Sequence, residues 1–173
     1  MELDCGVCRV RPWRAADAKP IVLHANDRDV WINLRDRFPH PYTVSHAKRY
    51  IKRVATEEPP TSFAIVVAGE PVGGIGVELR GDIERCSAEI GYWLGKRFWG
   101  RGVATAALRG VTGYGFSSLG LLRLFALPFT DNAASIRVLE KVGYVREGHL
   151  RSCAIKDGRV RDMYLYALVR ETV

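Results

Sequence analysis

The 173-residue sequence is poor in sulfur, with four cysteines and two methionines. No apolar run approaches the ~20 residues of a membrane helix, so no membrane span is expected. The N-terminal MELDCGVCRV lacks a basic region followed by a long apolar stretch. No signal peptide is therefore expected, and the expected location is the cytoplasm. Cys5 and Cys8 form a CxxC, but no second CxxC and no HxxxH completes a zinc site. The pair precedes the first expected strand, whereas a redox motif would follow a strand and open a helix. No metal site is expected, and Cys5, Cys8, Cys86 and Cys153 read as free thiols of a reducing compartment. Repeats, linkers and low-complexity stretches are also missing, so residues 1–173 are expected to form a single domain.

Charge is not missing. Lysine and arginine number 26 against 19 aspartate and glutamate, a net charge of +7, yet no run of five like charges occurs. The excess fits a phosphorylated cofactor, an acidic protein or nucleic acid, and equally a solvated basic surface. An aromatic-basic motif for stacking bases is absent, which argues against nucleic acid.

Periodicity gives the order of elements. Val7 to Trp13 alternates as a first strand. Asp17 is a plausible N-cap, with Pro20 close behind, for a helix to about Asn26. A second helix reads from Asp27 to Phe38 and is broken by PHPY. Ser45 to about Thr56 reads as a third, with Ala47, Tyr50, Ile51 and Val54 on one stripe. Strands follow at Ser62–Ala68 and Val72–Leu79, joined by a turn at Gly69-Glu70-Pro71, and then at Ala88–Leu94. A long helix from about Gly102 to Leu119 carries Val103, Ala107, Val111, Tyr114 and Ser118 on one face. Gly110, Gly113 and Gly115 weaken it, so close packing is expected there. Leu121–Pro128 is a buried-looking strand, and Asn132–Val142 is a helix with Gly143 at its C′ position. Tyr144–Ile155 and Arg159–Leu168 close the chain around an Asp157-Gly158 hairpin turn. The fold class is α+β: a central mixed, largely antiparallel sheet of about seven strands flanked by helices.

The most informative stretch is KRFWGRGVATAAL, Lys96 to Leu108. It follows a strand, opens a helix, and holds two glycines and two arginines but no acid. Free N–H groups and the positive end of the helix dipole favour an anion at such a helix start. Glycine lets the backbone approach a phosphate that a Cβ would keep away. A dinucleotide-binding turn would instead want GxGxxG near the first strand. Here the motif lies mid-chain and position 105 is Thr.

RFWGRG (Arg97 to Gly102) resembles the R/Q-x-x-G-x-G/A pyrophosphate loop of the GNAT superfamily of N-acetyltransferases. NAASIRVLEKVGY (Asn132 to Tyr144) resembles that superfamily's second cofactor-side helix. AEIGYWL, VREGHLR and the closing stretch Asp157–Glu171 resemble the RimJ/RimL-like branch, which acetylates ribosomal-protein N-termini. Two motifs in order on the expected elements make a strong signal.

The resemblance implies the acyl-CoA N-acyltransferase fold. Acetyl-CoA, as acetyl donor, would lie between two parallel strands, Ala88–Leu94 and Leu121–Pro128, that splay apart. Its pantetheine arm would bond to backbone at Trp93 and Leu94. Its pyrophosphate would sit on the loop and helix start, with Arg97, Gly100, Arg101, Gly102, Val103, Ala104 and Thr105 as binding residues. Asn132 and Ser135 would contact it from the second helix. The reaction would be direct attack of an amine on the thioester, with backbone N–H groups near Leu94 polarising the carbonyl. Glu89, on a half-buried strand and facing opposite Ile90 and Tyr92, is the first candidate for general base, through water; Glu78 is the second. Many superfamily members carry a Tyr in the second helix that protonates the sulfur. Leu139 stands at that position here, and Ser135, one turn earlier, is the candidate hydroxyl.

Tyr92, Trp93, Phe98 and Trp99 read as an aromatic wall or as core. The acceptor site is expected from Asn33–Tyr42 and the hairpin near Asp157, with Arg35, Asp36, Arg37, His40 and Tyr42 as candidate contacts. The acceptor amine is a protein N-terminus or a small amine. A non-catalytic acyl-CoA-binding module is the alternative from outside enzymology. A homodimer is the expectation that the resemblance carries.

Overall fold

A computed structural model describes residues 1–170; the end of the Asp157–Glu171 stretch lies outside them. Eight strands form one sheet in the order β1-β2-β3-β4-β5-β6-β8-β7. They are β1 (Leu3–Asp4), β2 (Arg9–Pro12), β3 (Ser62–Val67), β4 (Glu70–Leu79), β5 (Ser87–Leu94), β6 (Arg123–Ala126), β7 (Val145–Lys156) and β8 (Arg159–Val169). Every neighbouring pair is antiparallel except β5 and β6. The expected seven strands become eight because Leu3–Asp4 pairs with β2. Cys5 and Cys8 thus sit in a hairpin turn rather than ahead of the first strand. Burial pushes the Cys8 thiol up to about 12, and a thiol held protonated is a poor redox or metal ligand.

From Phe63 to Val67 β3 is apolar, because both faces of the sheet are covered. Phe63 and Ile65 point into one core, with Val10, Ile75, Ile90 and Leu124. The helices α4 (Val103–Ser117) and α5 (Ala133–Val142) cover this core. Ala64 and Val66 point into a second core with Trp13, Ile21, Tyr42 and Ile51. That face is covered by α1 (Val22–Ala25) and α3 (Val44–Val54), and the short α2 (Arg28–Trp31) lies between them in sequence.

In α4 the expected apolar face holds at Val103, Ala107 and Val111, all buried. Tyr114 is half-buried and bonds the Pro60 carbonyl at 3.1 Å, and Ser118 is exposed. A Cβ at Gly110 would stand 2.8 Å from Cys5 Sγ, and one at Gly115 would stand 3.0 Å from Leu124. Gly113 has open space around it and no packing reason.

The first two expected helices shrink. Asp17 is no N-cap. It lies inside a 3-10 turn, Ala15–Ala18, where its carboxylate grips the buried Arg11 guanidinium at 2.7 and 2.9 Å and accepts the Arg14 N–H. That ion pair keeps the chain turning, and the helix does not start until Val22. Asp27 caps only one turn by accepting the Asp29 N–H. Residues 33–42 then run as loop, because their charged side chains are drawn to distant partners. Thr43, not a residue further on, caps α3. The β3–β4 turn is Ala68-Gly69, both with positive φ, and Pro71 belongs to the strand. Asp157-Gly158 forms the expected two-residue turn with φ of 53° and 71°.

Candidate active site

β5 and β6 pair from Ser87↔Arg123 to Glu89↔Phe125, and there the pairing stops. β6 ends at Ala126, and the Pro128 carbonyl accepts from Tyr164 on β8. β5 runs on to Leu94, so its edge from Ile90 onward faces an opening instead of a strand. That opening is a cleft of about 1220 Å³, reaching from Glu78 and Glu89 to the start of α4.

The phase of the β5 backbone can be read from its neighbours. Gly95 N–H bonds Val72 O at 2.8 Å, and the Trp93 carbonyl lies against Gly73. Backbone groups of successive strand residues point to opposite edges. Trp93 therefore turns its backbone to β4, against the expectation that it offers hydrogen bonds to the cleft. Ile90, Tyr92 and Leu94 face the opening. The Leu94 carbonyl already receives the Trp99 indole N–H at 2.7 Å.

The loop after β5 makes one 3-10 turn, Lys96–Phe98, and then passes Gly100 and Gly102 with φ of 74° and 77°. Gly102 is the left-handed N-cap of α4, and the first helical bond is Ala106 N–H to Gly102 O, at 2.9 Å. The amides of Gly100, Arg101, Gly102, Val103, Ala104 and Thr105 have no protein partner among the described residues. Val103 is buried and anchors the turn, while Gly100, Arg101 and Gly102 are exposed. Six free amides and two exposed arginines, Arg97 and Arg101, suit a pyrophosphate. Arg101 rests over Phe98. The fold also brings Asp29 of α2 to Lys96 as an ion pair, although the loop's own sequence has no acid.

The opposite wall is α5. Asn132 caps it, accepting Ser135 N–H at 3.1 Å. Ser135 Oγ lies 2.9 Å from Tyr92 Oη, which ties the open strand to this helix. Burial raises the Tyr92 phenol well above its ordinary value, so it stays a neutral hydroxyl. Leu139 is wholly buried. The hydroxyls at this wall are those of Ser135 and Tyr92; the sequence reading of Tyr92 covers only its ring, as wall or core.

Glu89 stands five residues before Leu94, about 17 Å along a strand. One carboxylate oxygen is ion-paired with Arg35 and the other with Arg80, at 3.2 Å. Its cross-strand partner is Glu78, held by Arg37 at 2.8 Å. Like charges directly opposite repel, and the three arginines offset this. The Arg37 bond holds the Glu78 carboxyl below the ordinary carboxylate range.

α2 and the segment after it are bound mostly through charge. Arg28 meets Asp157, and Asp36 meets Lys156 at 2.9 Å. Lys156 is buried, with its ammonium 3.7 Å from the Trp31 ring centre. Arg161 donates to Ile32 O at 2.7 Å. Arg35, Arg37 and Asp36, expected to read an acceptor, are thus engaged with other elements. His40 stacks on Trp31, and Tyr42 is buried against Phe38, which drives its phenol up to about 12. Neither is placed to read a charge. Trp93 packs on Phe38 and Phe98 on His24, so the aromatic cluster is mainly packing. Lys96, Lys156 and Arg80 are site-forming residues that sequence reasoning missed, and the Tyr92 hydroxyl adds to the ring already read there. Only Lys96, beside the glycine loop, carried a local signal. No cluster of metal-binding side chains occurs among the described residues, and no helix there is long and apolar enough to cross a membrane.

A family profile described as an acetyltransferase (GNAT) domain matches residues 8–145. The uncharacterized N-acetyltransferase p20 of Bacillus licheniformis is 35% identical over 136 residues, 75% of this chain and 76% of that protein. The putative ribosomal N-acetyltransferase YdaF of Bacillus subtilis (strain 168) is 37% identical over 83 residues, which span 48% of this chain and 45% of YdaF. Among solved structures, Mycobacterium smegmatis RimJ in complex with CoA-disulfide is similar with a TM-score of 0.80. It is 28% identical, and the match covers 95% of this chain and 83% of RimJ.

Proposed function

The chain belongs to the GNAT acetyltransferase family, with acetyl-CoA as its donor, and from that premise we propose that it acetylates the α-amine of a polypeptide N-terminus. The observation that carries the reading is the open edge of β5, with free amides at one end and Glu89 at the other. From Glu89 to Leu94, where the loop begins, is about 17 Å along the strand, a length that suits an extended pantetheine arm. Similarity to RimJ and YdaF supports a protein acceptor. The four free thiols support work in the cytoplasm. The expected homodimer would form on the exposed β7 edge, where Val145 and Ile155 stand open.

In this reading the amides of Gly100 to Thr105, with Arg97 and Arg101, hold the pyrophosphate. When bound, acetyl-CoA supplies the thioester carbonyl that the amine attacks. An N–H of the open β5 edge polarises that carbonyl. Glu89, held between Arg35 and Arg80, takes the amine's proton through water. Ser135 Oγ donates toward the sulfur end, held in place by Tyr92 Oη.

The test is a panel assay with acetyl-CoA, read by product mass. Peptides with a free N-terminus are expected to gain one acetyl group, and N-terminally blocked peptides carrying lysine are expected to stay unmodified. Turnover of small amines alone would overturn the polypeptide reading while leaving the transferase intact.

A further inference from the structure

The outer face of α3 carries Lys48, Arg49, Lys52 and Arg53, all exposed. Lys48 and Lys52 are four residues apart, as are Arg49 and Arg53, and like charges at that spacing on a helix repel. Lys52 and Arg53 lie in the last turn, where the helix dipole favours cations. Lys48 and Arg49 lie a turn further in, where that benefit fades. Arg53 pairs with Glu57 at 3.3 Å; Lys48, Arg49 and Lys52 make no ion pair among the described residues. The arrangement costs helix stability and is not repaid inside the protein.

A shallow groove of about 610 Å³ runs along this face. Its lining is Ser45, Lys48, Arg49, Lys52, Arg53 and Thr56: four cations, no carboxylate and no aromatic ring. Arg49 and Arg53 also line the main cleft, with Tyr50 and with Glu57 and Glu58, of which Glu57 pairs with Arg53. The groove is therefore continuous with the end of the cleft that an acceptor would enter. A chain whose amine sits near Glu89 would leave the cleft past Arg49 and Arg53. Without an aromatic ring the groove cannot stack nucleic-acid bases, whereas carboxylates along an extended peptide match its charge.

We propose that the α3 groove docks an acidic segment of the acceptor polypeptide, downstream of the N-terminal residue that enters the cleft. This rests on the reading of the acceptor as a polypeptide N-terminus. The occupant is an extended chain rich in Asp and Glu, and the groove selects acceptors by charge while taking no part in the chemistry.

Two peptides test it, each with the same first residue and a fluorophore at the C-terminus. One continues with Asp and Glu, the other with Asn and Gln. Binding is read by anisotropy and turnover by product mass, for the parent chain and for Lys48→Glu/Lys52→Glu. The acidic peptide is expected to bind roughly 10-fold more tightly at about 0.1 M salt, with the advantage shrinking as salt rises. Charge reversal is expected to abolish the advantage while leaving acetyl-CoA affinity and kcat on the neutral peptide unchanged. Lys48→Gln/Lys52→Gln is expected to give a partial loss, which separates charge from any defect in folding. Equal binding of the two peptides, or an advantage that survives reversal, overturns the proposal. So does single-stranded RNA that binds more tightly than the acidic peptide and is released by the reversal. If the acidic peptide binds as expected but neither peptide is acetylated, the docking groove stands and the N-terminal acceptor falls. If both peptides are acetylated with equal affinity, the acceptor stands and the groove falls.

Discussion

The wall of the cleft proposed to hold the donor is built from backbone, whereas the roof proposed to face the acceptor is built from charged side chains. Along the donor wall, two left-handed glycines and the unpaired amides of a helix start do the work, and their geometry is fixed within a few residues of sequence. Across the roof, Arg28, Asp29, Arg35, Asp36 and Arg37 reach the β7–β8 hairpin, the phosphate loop, β5 and β4. Of residues 28–38 only Val30 is buried. A wall made of backbone holds one shape in any solution. A roof made mostly of exposed ion pairs holds weakly, because each such pair contributes only about 0–1 kcal/mol.

The Arg11–Asp17 pair breaks that comparison from within the acceptor half, because it is buried on both sides. Asp17→Ala leaves the Arg11 charge buried without a partner. It is expected to cost about 3–5 kcal/mol of unfolding free energy in urea titration. An effect below about 1 kcal/mol would put this pair with the exposed ones. The next largest effect is chemical. Glu89→Gln is expected to lower kcat by roughly 100-fold or more, as loss of a general base does, with acetyl-CoA affinity retained. A kcat within a few-fold of the parent would make Glu89 a structural anchor for Arg35 and Arg80.

Gly102→Val attacks the donor wall. A side chain at φ 77° costs about 1–2 kcal/mol of strain. The free turn is expected to relax out of the left-handed region and binding must restore it, so calorimetry is expected to show acetyl-CoA affinity falling by about 10-fold, with kcat at saturating donor little changed. Unchanged affinity would remove the pyrophosphate from this turn.

The legibility of the sequence follows the same division. The glycine loop, the helix beginning at Asn132, Gly143 and the Asp157-Gly158 turn are all readable, because each depends on residues next to one another. The early helices were not, because Asp17 was drawn to Arg11, a strand residue six positions back, and away from capping. The roof was unreadable for a similar reason. Lys156 finds Asp36 at a separation of 120 residues, and nothing around either residue announces the other. Tyr92 was noticed for its ring, while its role comes from an oxygen that meets Ser135 only after α5 packs against β5. The resemblance implies hydrogen bonds to the cleft at Trp93, whereas pairing with β4 sets the direction of its backbone.

The smallest expected effect concerns pH. The Glu78 carboxyl is held below the 4.5 of a free glutamate, first by its bond to Arg37. A depressed carboxyl contributes stability that is present above the free value and is lost as pH falls through the folded one. The Arg37–Glu78 contact is thus expected to persist at pH 5 and to release only below 4.5. Glu78 is about half exposed, so the change in melting temperature is expected to be slight. Its Glu78→Gln counterpart should lack that acid limb, and a limb that persisted unchanged would assign it to another carboxylate.

Hydrogen exchange with and without acetyl-CoA bears most directly on the division between a backbone wall and a charged roof. The amides of Gly100 to Thr105 are expected to exchange at least ~10-fold more slowly when acetyl-CoA is present, because each gains an acceptor it lacks in the free protein. Those of residues 28–38 should be little changed. Protection confined to the roof, with Gly100 to Thr105 exchanging as before, would contradict the account.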